Sequence, residues 1–409
     1  MDLGTTKVCV IVGLKSALPD KTTGKTGEIE VLSIGHIPSQ GIKKGVVVDI
    51  ECATDCLVAA VESAEEMADV EIGSLYVGMT GSHVRSFNSF GSTPITREQY
   101  EITDEDVEKT IAAAKAVSIP MERMVLHVLP HEYIVDGQTG IRQPRGMSGV
   151  KLEVGVHIVT GAITAAQNIV KCLNRAEIEC EELILSSIAS AASTLSDEEK
   201  EMGVILMDIG GGTTDTAVFV ENVLKFTDVL GCGGYQITND IAHALRLPLN
   251  KAEEIKKRYG TALRSAVTST EEFSVPGVLD RPTRNMPVRE LASIIEPRVE
   301  EIFLRIKSRV QSAGLNQKIG SGIVLTGGCA LLKDIDKLAS RVFNVPVRIG
   351  KVRNVKGLDH ILESPAFATA VGLLKMANES RKHKKNTVPP SPRRLLNVVT
   401  SWMKKALPQ

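Results

Sequence analysis

Two short stretches of the chain carry groups that could hold a phosphate. In one, Asp208 and Ile209 lead into Gly210, Gly211 and Gly212, then Thr213, Thr214 and Asp215. Apolar runs flank it, Val204 to Met207 before and Thr216 to Phe219 after. Such a pattern predicts a buried β-hairpin with a special tip. Consecutive glycines let the backbone approach another group closely and take φ > 0. Their N–H groups, with the Thr213 and Thr214 hydroxyls, form an anion-binding concavity. Asp208 and Asp215 add carboxylates suited to Mg²⁺ held mainly through water beside phosphate oxygens. A plain Gly-rich hairpin would show the same letters. A P-loop would not, since it needs Gly-Lys-Ser/Thr opening a helix.

The second stretch repeats the first. Asp2, Leu3, Gly4, Thr5, Thr6 and Lys7 precede the apolar run Val8 to Val12, roughly two hundred residues upstream of its counterpart. Repetition of this kind predicts two like halves, each offering one phosphate turn to a shared cleft. A third motif, Ile323 to Leu332, reads as strand, glycine pair (Gly327, Gly328) and helix, a seat for a purine or phosphate. Gly233 and Gly234 open a helix running to Leu245, a fourth turn near the same site.

Turn, turn and glycine pair in this order resemble the actin-like ATPase superfamily. The resemblance implies an α/β fold of the duplicated, ribonuclease H-like kind, with two lobes around a nucleotide cleft. It implies ATP as ligand, with Mg²⁺ held by Asp2 and Asp208 mainly through water. Glu253 and Lys256 match positions that contact ribose and adenine; a surface i,i+3 ion pair is the alternative. A full strand precedes the first turn in that family, whereas here Asp2 follows Met1 directly. The first strand is therefore expected to be nearly absent.

These motifs need a scaffold, and 409 residues can supply two domains with real cores. A hydrophobic content of 43% with 24% charged residues fits a soluble globular protein. Net charge of −1 gives no pull toward nucleic acid, which is not expected as a partner. No apolar run reaches the roughly 18 residues of a membrane span, and no signal peptide is evident. The seven cysteines lack zinc-type spacing and read as reduced thiols of a cytosolic protein.

Along the chain, residues 16–27 read as a polar turn, 28–38 as a strand, 50–68 as a helix and 75–78 as a strand. From 82 to 160 the texture changes: a helix capped at Thr103, strands near 124–130 and 151–160, and a loop over 137–147. This predicts a small α+β unit. His127 and His131 flank Pro130 and read as surface histidines. Residues 182–195 read as a helix rich in small residues, 276–289 as a basic loop, and 290 onward as a long helix. A closing helix from Pro365 to Leu374 is apolar and slender enough to cross close behind the cleft.

The run from Val125 to Gly149, followed by Val156 to Ala176, is similar to FtsA, the actin homologue of the bacterial division ring. That resemblance covers nearly the whole chain. It implies subdomain 1A (1–81, 161–195, 360–377), an inserted subdomain 1C (82–160), 2A (196–241, 310–359) and 2B (242–309). It implies capture of the FtsZ C-terminal peptide by 2B. Arg298 and Glu301 fit contacts to that peptide, with a solvated helix face as the alternative. Self-assembly into filaments and recruitment of later division proteins through the insert are implied as well. Hydrolysing relatives carry a Glu or Gln in the segment before the central hairpin; here Ser186, Ser187 and Ser190 stand there, so slow or absent ATP hydrolysis is expected.

The tail is distinct. Residues 378–392 are charged and proline-bearing, the composition of a disordered linker. In 393–407, Leu395, Leu396, Val398, Val399, Trp402, Met403, Ala406 and Leu407 fill one half of a helical wheel. Arg393, Arg394, Asn397, Thr400, Ser401, Lys404 and Lys405 fill the other. This describes an interfacial helix on an anionic membrane, as in the family's anchor; docking on the protein's own core is the alternative. The expected role is an ATP-binding adaptor that tethers FtsZ to the cytoplasmic face of the cell membrane at the septum, as a peripheral protein. A superfamily enzyme, either a small-molecule kinase or a chaperone-type ATPase, is the rival.

Overall fold

The computed structural model describes residues 1–15, 29–96, 100–268, 270–277 and 282–384. The chain opens with β1 (Asp2–Leu3), β2 (Lys7–Lys15) and β3 (Ile29–Pro38). A small hairpin, β4 (Ile42–Lys43) and β5 (Val46–Val47), leads to α1 (Ile50–Ala68) and β6 (Ser74–Met79). Helix α1 starts where Asp49 accepts from the Cys52 N–H, and buries Ala53, Leu57, Ala60, Val61 and Ala64 along one face. It lies so close on β3 that a Cβ at Gly35 would stand 1.7 Å from the Ala60 carbonyl oxygen.

The insert follows as β7 (Arg85–Pro94), α2 (Asp104–Lys115), β8 (Arg123–Val135), β9 (Gln138–Ile141) and β10 (Lys151–Ala162). Its strands form an antiparallel sheet in the order β7-β10-β8-β9, and α2 packs on β7 and β10. Thr103 and Asp106 close a capping box at the start of α2. The stretch read as a loop over 137–147 contains β9. The strand expected near 124–130 continues through Pro130 to Val135. Pro130 pairs with Val156 and Glu132 with Gly155, leaving His131 as a bulge, which is how a strand accommodates a residue without an N–H.

The chain then returns through α3 (Ile163–Arg175), β11 (Glu179–Leu185), α4 (Ser186–Thr194) and α5 (Asp197–Met202). The segment 182–195 is thus strand then helix, since the apolar stretch at 183–185 completes a ladder on β6. The second lobe holds β12 (Val204–Ile209), β13 (Thr214–Val220), β14 (Val223–Leu230), α6 (Gly234–Leu245), α7 (Leu249–Tyr259), β15 (Glu272–Val275), β16 (Arg284–Pro287) and α8 (Val288–Ser312). The span read as a basic loop at 276–289 includes β16 and the start of α8. The chain ends with β17 (Ile323–Thr326), α9 (Ile335–Phe343), β18 (Val347–Ile349), β19 (Val355–Gly357), α10 (Asp359–Leu362) and α11 (Ala368–Lys384).

The strand orders expose the duplication. The first sheet runs β11-β6-β1-β2-β3-β19 and the second β18-β17-β12-β13-β14. Each has an antiparallel meander of three strands, a parallel strand on the first of them, and a further parallel strand beyond. The phosphate turns occupy the same place, the first bend of each meander. β1 is two residues long, as the sequence implied, and a groove of about 570 Å³ lies between β2 and β6, lined by Ile11, Val12, Ser74, Leu75 and Tyr76 among others.

Several boundaries move. β19 joins the first sheet although 355–357 lies within the span assigned to 2A, and α8 crosses the 309/310 limit of 2B. α11 runs to Lys384, past the start expected for the linker at 378. Gly372 on α11 meets α4 backbone to backbone, since a Cβ there would lie 1.8 Å from the Ala189 carbonyl oxygen. This is the close crossing behind the cleft that the small residues predicted. The polar turn read over 16–27 and the amphipathic stretch 393–407 lie outside the described residues. Among the described residues no helix is long and apolar enough to cross a membrane.

Candidate functional site

The two phosphate turns face each other across the lobes. A Cβ at Gly211 would stand 2.4 Å from Thr6 Cγ2, and one at Gly212 would stand 2.4 Å from Thr5 Oγ1. Glycines are thus required in the second turn because threonines occupy the first. Gly4 closes the first turn by donating to the Lys7 carbonyl at 2.9 Å. Gly210 donates to the Thr213 carbonyl at 2.9 Å and accepts from the Gly234 N–H at 2.9 Å. The backbone hydrogen bonds of the turns among the described residues leave the N–H groups of Gly211 and Gly212 unengaged. Lys7 donates to the Ala366 carbonyl and lies 4.3 Å from the Phe367 ring centroid.

Three carboxylates line this junction, Asp208 and Asp215 buried and Asp2 half-buried. Asp208 Oδ2 accepts from Ser190 Oγ at 2.5 Å and from Thr369 Oγ1 at 2.8 Å. Asp215 Oδ1 accepts from Thr80 Oγ1 at 2.5 Å, a bond that crosses from the residue just after β6 in one lobe to β13 of the other. Burial pushes all three above the usual carboxylate range, and for Asp215 the charge of Asp208 adds to it, to about 8. A cluster of this kind calls for a cation. Among the described residues no three His, Cys, Asp or Glu side chains are placed to hold a metal ion. One or two carboxylates with waters and phosphate oxygens is the coordination that suits Mg²⁺, so the donor set of Asp2 and Asp208 fits that ion beside a polyphosphate.

The glycine pair closes the floor. Gly327 has φ +84°, and a Cβ there would lie 2.4 Å from Asp208 Oδ1. A Cβ at Gly328 would meet nothing within 4 Å, so this position opens to space. The segment after it is a short 3₁₀ turn, Gly328–Leu331, rather than the expected α-helix. Gly233 lies against Gly210 and is the N-cap of α6.

Glu253 and Lys256 form neither an exposed ion pair nor an isolated one. Lys256 Nζ is 2.6 Å from Glu253 Oε2, and it donates to Thr238 Oγ1 at 2.8 Å and to the Gly234 carbonyl at 3.1 Å. Burial works against the Glu253 carboxylate, and Lys256 outweighs it, holding the group below its usual range. The pair therefore sits at the start of α6, beside the phosphate turns.

Arg298 and Glu301 lie away from this junction, on α8. A peptide contact and a solvated helix face would each leave both side chains exposed. Instead Arg298 is half-buried and binds Asp240 through Nε at 2.6 Å and Nη2 at 3.0 Å, with Glu301 on Nη1. Asp240 holds the guanidinium above its usual range. Beside them runs an open groove of about 540 Å³ lined by Pro297, Glu301, Leu304, Arg305 and Arg309 among others.

The histidines of the insert are not surface groups either. His127 accepts from the Leu185 N–H at 2.9 Å, and burial lowers it to about 4. His131 is half-buried and meets the Phe90 ring edge-on, with centroids 6.0 Å apart. Both point inward because β8 packs between the lobes.

Sequence reasoning missed Thr80, Thr369 and the part played by Ser190 as partners of the carboxylates. Thr80 follows an apolar strand and precedes a glycine, the only local sign of a strand-end site. Ser186 and Ser187, beside Ser190 on α4, have buried hydroxyls without a partner, as does Thr216.

Comparison with known proteins bears on this arrangement. A family model described as "Cell division protein FtsA" matches residues 205–372, and one described as "SHS2 domain inserted in FTSA" matches residues 81–160. The cell division protein FtsA of Pseudomonas aeruginosa is 44% identical over 374 residues, covering 91% of this chain and 87% of that protein. That of Escherichia coli K12 is 39% identical over 412 residues, covering 99% and 95%. Among solved structures, the PilM-PilN type IV pilus biogenesis complex matches with a TM-score of 0.64 at 15% identity, over 92% of this chain and 97% of that one. MreB5 of Spiroplasma citri bound to ADP matches with a TM-score of 0.55 at 13% identity, over 95% and 97%. The fold is that of the actin-like ATPases, with an inserted α+β subdomain.

Proposed function

Since the chain belongs to the FtsA family of cell-division proteins, we propose that it is an ATP-dependent adaptor that assembles on itself and ties FtsZ to the membrane. ATP·Mg²⁺ lies between the two turns. The N–H groups of Gly211 and Gly212, the hydroxyls of Thr5 and Thr6, and Lys7 hold the phosphates, while Thr213 and Thr214 brace the turn from behind, Thr214 donating to the Cys232 carbonyl; Asp2 and Asp208 hold the ion through water. The ion neutralises charge on the phosphate oxygens. Gly327, Gly328, Glu253 and Lys256 bound the nucleoside end. The observation that carries this reading is the meeting of Thr5 and Thr6 with Gly211 and Gly212 at equivalent places of a duplicated fold. Asp208→Ala or Gly211→Val abolishes equilibrium binding of labelled ATP to the full chain. Binding that survives both changes overturns the assignment.

Turnover is slow, because α4 offers no carboxylate or amide and Ser190 is committed to Asp208. Steady-state phosphate release at many turnovers per second would instead favour the enzyme reading.

The groove on α8 takes the FtsZ C-terminal peptide. Leu304, 52% exposed, offers an apolar floor, and Arg305 and Arg309 offer cations to an acidic ligand. Arg298 and Glu301 form the wall that orients it. The insert, residues 82–160, receives later division proteins. The stretch 393–407 lies on the cytoplasmic face of the membrane at the septum, with Leu395, Leu396, Val399, Trp402, Met403 and Leu407 toward the acyl chains and Arg393, Arg394, Lys404 and Lys405 toward anionic headgroups. Trp402→Glu removes the protein from anionic liposomes in flotation while ATP binding persists. Flotation equal to the parent's would leave the membrane half without support.

A further inference from the structure

β14 is an outer strand of the second sheet, and its side chains alternate between two neighbours. Lys225, Thr227 and Val229 face the insert and first lobe. Lys225 Nζ lies 3.4 Å from His131 Nδ1, Thr227 Oγ1 lies 3.0 Å from His157 Nε2, and Val229 packs with Val84, Val159 and Leu185. Phe226, Asp228 and Leu230 face the other way. Phe226 and Leu230 belong to the core that seats α8, and Asp228 pairs with Arg309 of α8.

The contact on the insert side is specific. His157 is 1% exposed, and its Nδ1 is 2.7 Å from Asn88 Oδ1. A carbonyl oxygen only accepts, so Nδ1 carries the proton and Nε2 accepts from the Thr227 hydroxyl. Ser86 Oγ adds a 2.7 Å bond to the Thr227 carbonyl. His157 and Thr227 are buried while Asn88 is exposed and Ser86 half-buried, so the bond between His157 and Thr227 is the one that water does not replace when the strand shifts. Thr227 and Asp228 are consecutive on one strand, so a displacement of either moves both.

We propose that β14 couples α8 to the insert: a ligand that draws Arg309 away from Asp228 loosens the Asn88–His157–Thr227 seat on the far side of the strand. By linkage, a partner that shifts the insert alters the Arg309 end equally. The inference rests on the proposed role of the α8 groove only for naming an acidic peptide as that ligand; the link itself is within the chain.

Hydrogen exchange read by mass spectrometry on the full chain, without any partner, tests it. Arg309→Ala and Asp228→Asn should each speed amide exchange in β7 and β10, which neither residue touches, by roughly 3- to 30-fold. Arg309→Lys, which keeps the pair, should restore the parent's protection. Asn88→Ala should in turn speed exchange in the last turns of α8. Faster exchange confined to α8 and β14 overturns the proposal, and so does a rise of equal size in α1 and α3, which would mark general destabilisation. Failure of the FtsZ peptide to bind would remove the proposed ligand and leave these exchange results standing.

Discussion

The two halves of the molecule share one plan and differ in what was added to it. Both begin with a meander whose first bend is a phosphate turn, and both extend it with parallel strands in the same order. The first half interrupts the plan after β6 with the insert; the second does so after β14 with α6 to α8. Even the shared turns are unlike in composition. The first carries threonines and a lysine, the second three glycines, and each fills what the other leaves empty. Duplication supplied the symmetry, and complementary residues at the junction made it a site. The insert and α8 lie outside that junction, whereas the start of α6 and the Glu253–Lys256 pair of α7 border it, so changes in the common plan should be costly to ligand binding and changes in the insert and α8 should not.

The largest effect is expected where the turns meet. Gly211→Val forces a side chain onto Thr6, and ATP affinity should fall by roughly a hundredfold, enough to remove measurable equilibrium binding, in keeping with overpacking costs of about 1–3 kcal/mol. The double variant with Thr6→Gly should recover part of it in the same titration, which would show that the two turns answer to each other. Recovery of none would place the damage in the backbone of one turn alone.

Next comes Asp208→Ala, which removes the acceptor shared by the Ser190 and Thr369 hydroxyls and leaves them only the 2.9 Å bond to each other, so that one donor goes unpaired in a dry site. Each unpaired buried group costs about 1–3 kcal/mol, offset in part by relief of the repulsion among the carboxylates. Thermal unfolding without nucleotide should show the net loss. An unchanged midpoint would mean that repulsion cancels the two bonds.

The insert should reveal itself through pH. Burial lowers His157 and His127 to about 4, so both are neutral in the folded protein. The unfolded chain takes up protons near pH 6.5 that the folded chain refuses. Stability is therefore complete above about 6.5 and is lost as pH falls toward 4, by on the order of 1–3 kcal/mol for each histidine. The midpoint of His157→Gln should fall less steeply over that window than the parent's, and identical slopes would deny His157 its part.

The smallest effect on the fold is expected at α8. Leu304→Ser should leave stability within about 0.5 kcal/mol, as exposed substitutions do. ATP binding should be unchanged. Only affinity for the FtsZ peptide, read by fluorescence anisotropy, should drop.

Much of this plan could be read from local pattern. Asp49 and the spacing of Ala53, Leu57, Ala60 and Ala64 mark α1 from end to end, and the capping box marks α2. The central hairpin follows from two apolar runs around three glycines. Local pattern fails where a short apolar run has two readings: the stretch at 183–185 suits helix or strand until β6 is there to pair with it. It fails also for partners distant in sequence. Nothing near Asp208 announces Thr369, which lies 161 residues away, and nothing in a lone His157 announces Asn88 and Thr227. Arg298 looked free because Asp240 is 58 residues distant.

The crossing of α4 and α11 has a mechanical consequence. Gly372 and Ala189 bring the two helices together backbone to backbone, and Ser190 and Ser193 add bonds to Thr369 and to the Ala368 carbonyl, so the contact resists compression, sliding and rotation alike. On its other face α4 packs Ala191 with Leu206 and Ala217 of the second lobe, while α11 packs on β2 and β6 of the first. The contact is thus a tie placed behind the site, and the nearness of Thr6 to Gly211 is held from the back of the molecule by a glycine that leaves no gap.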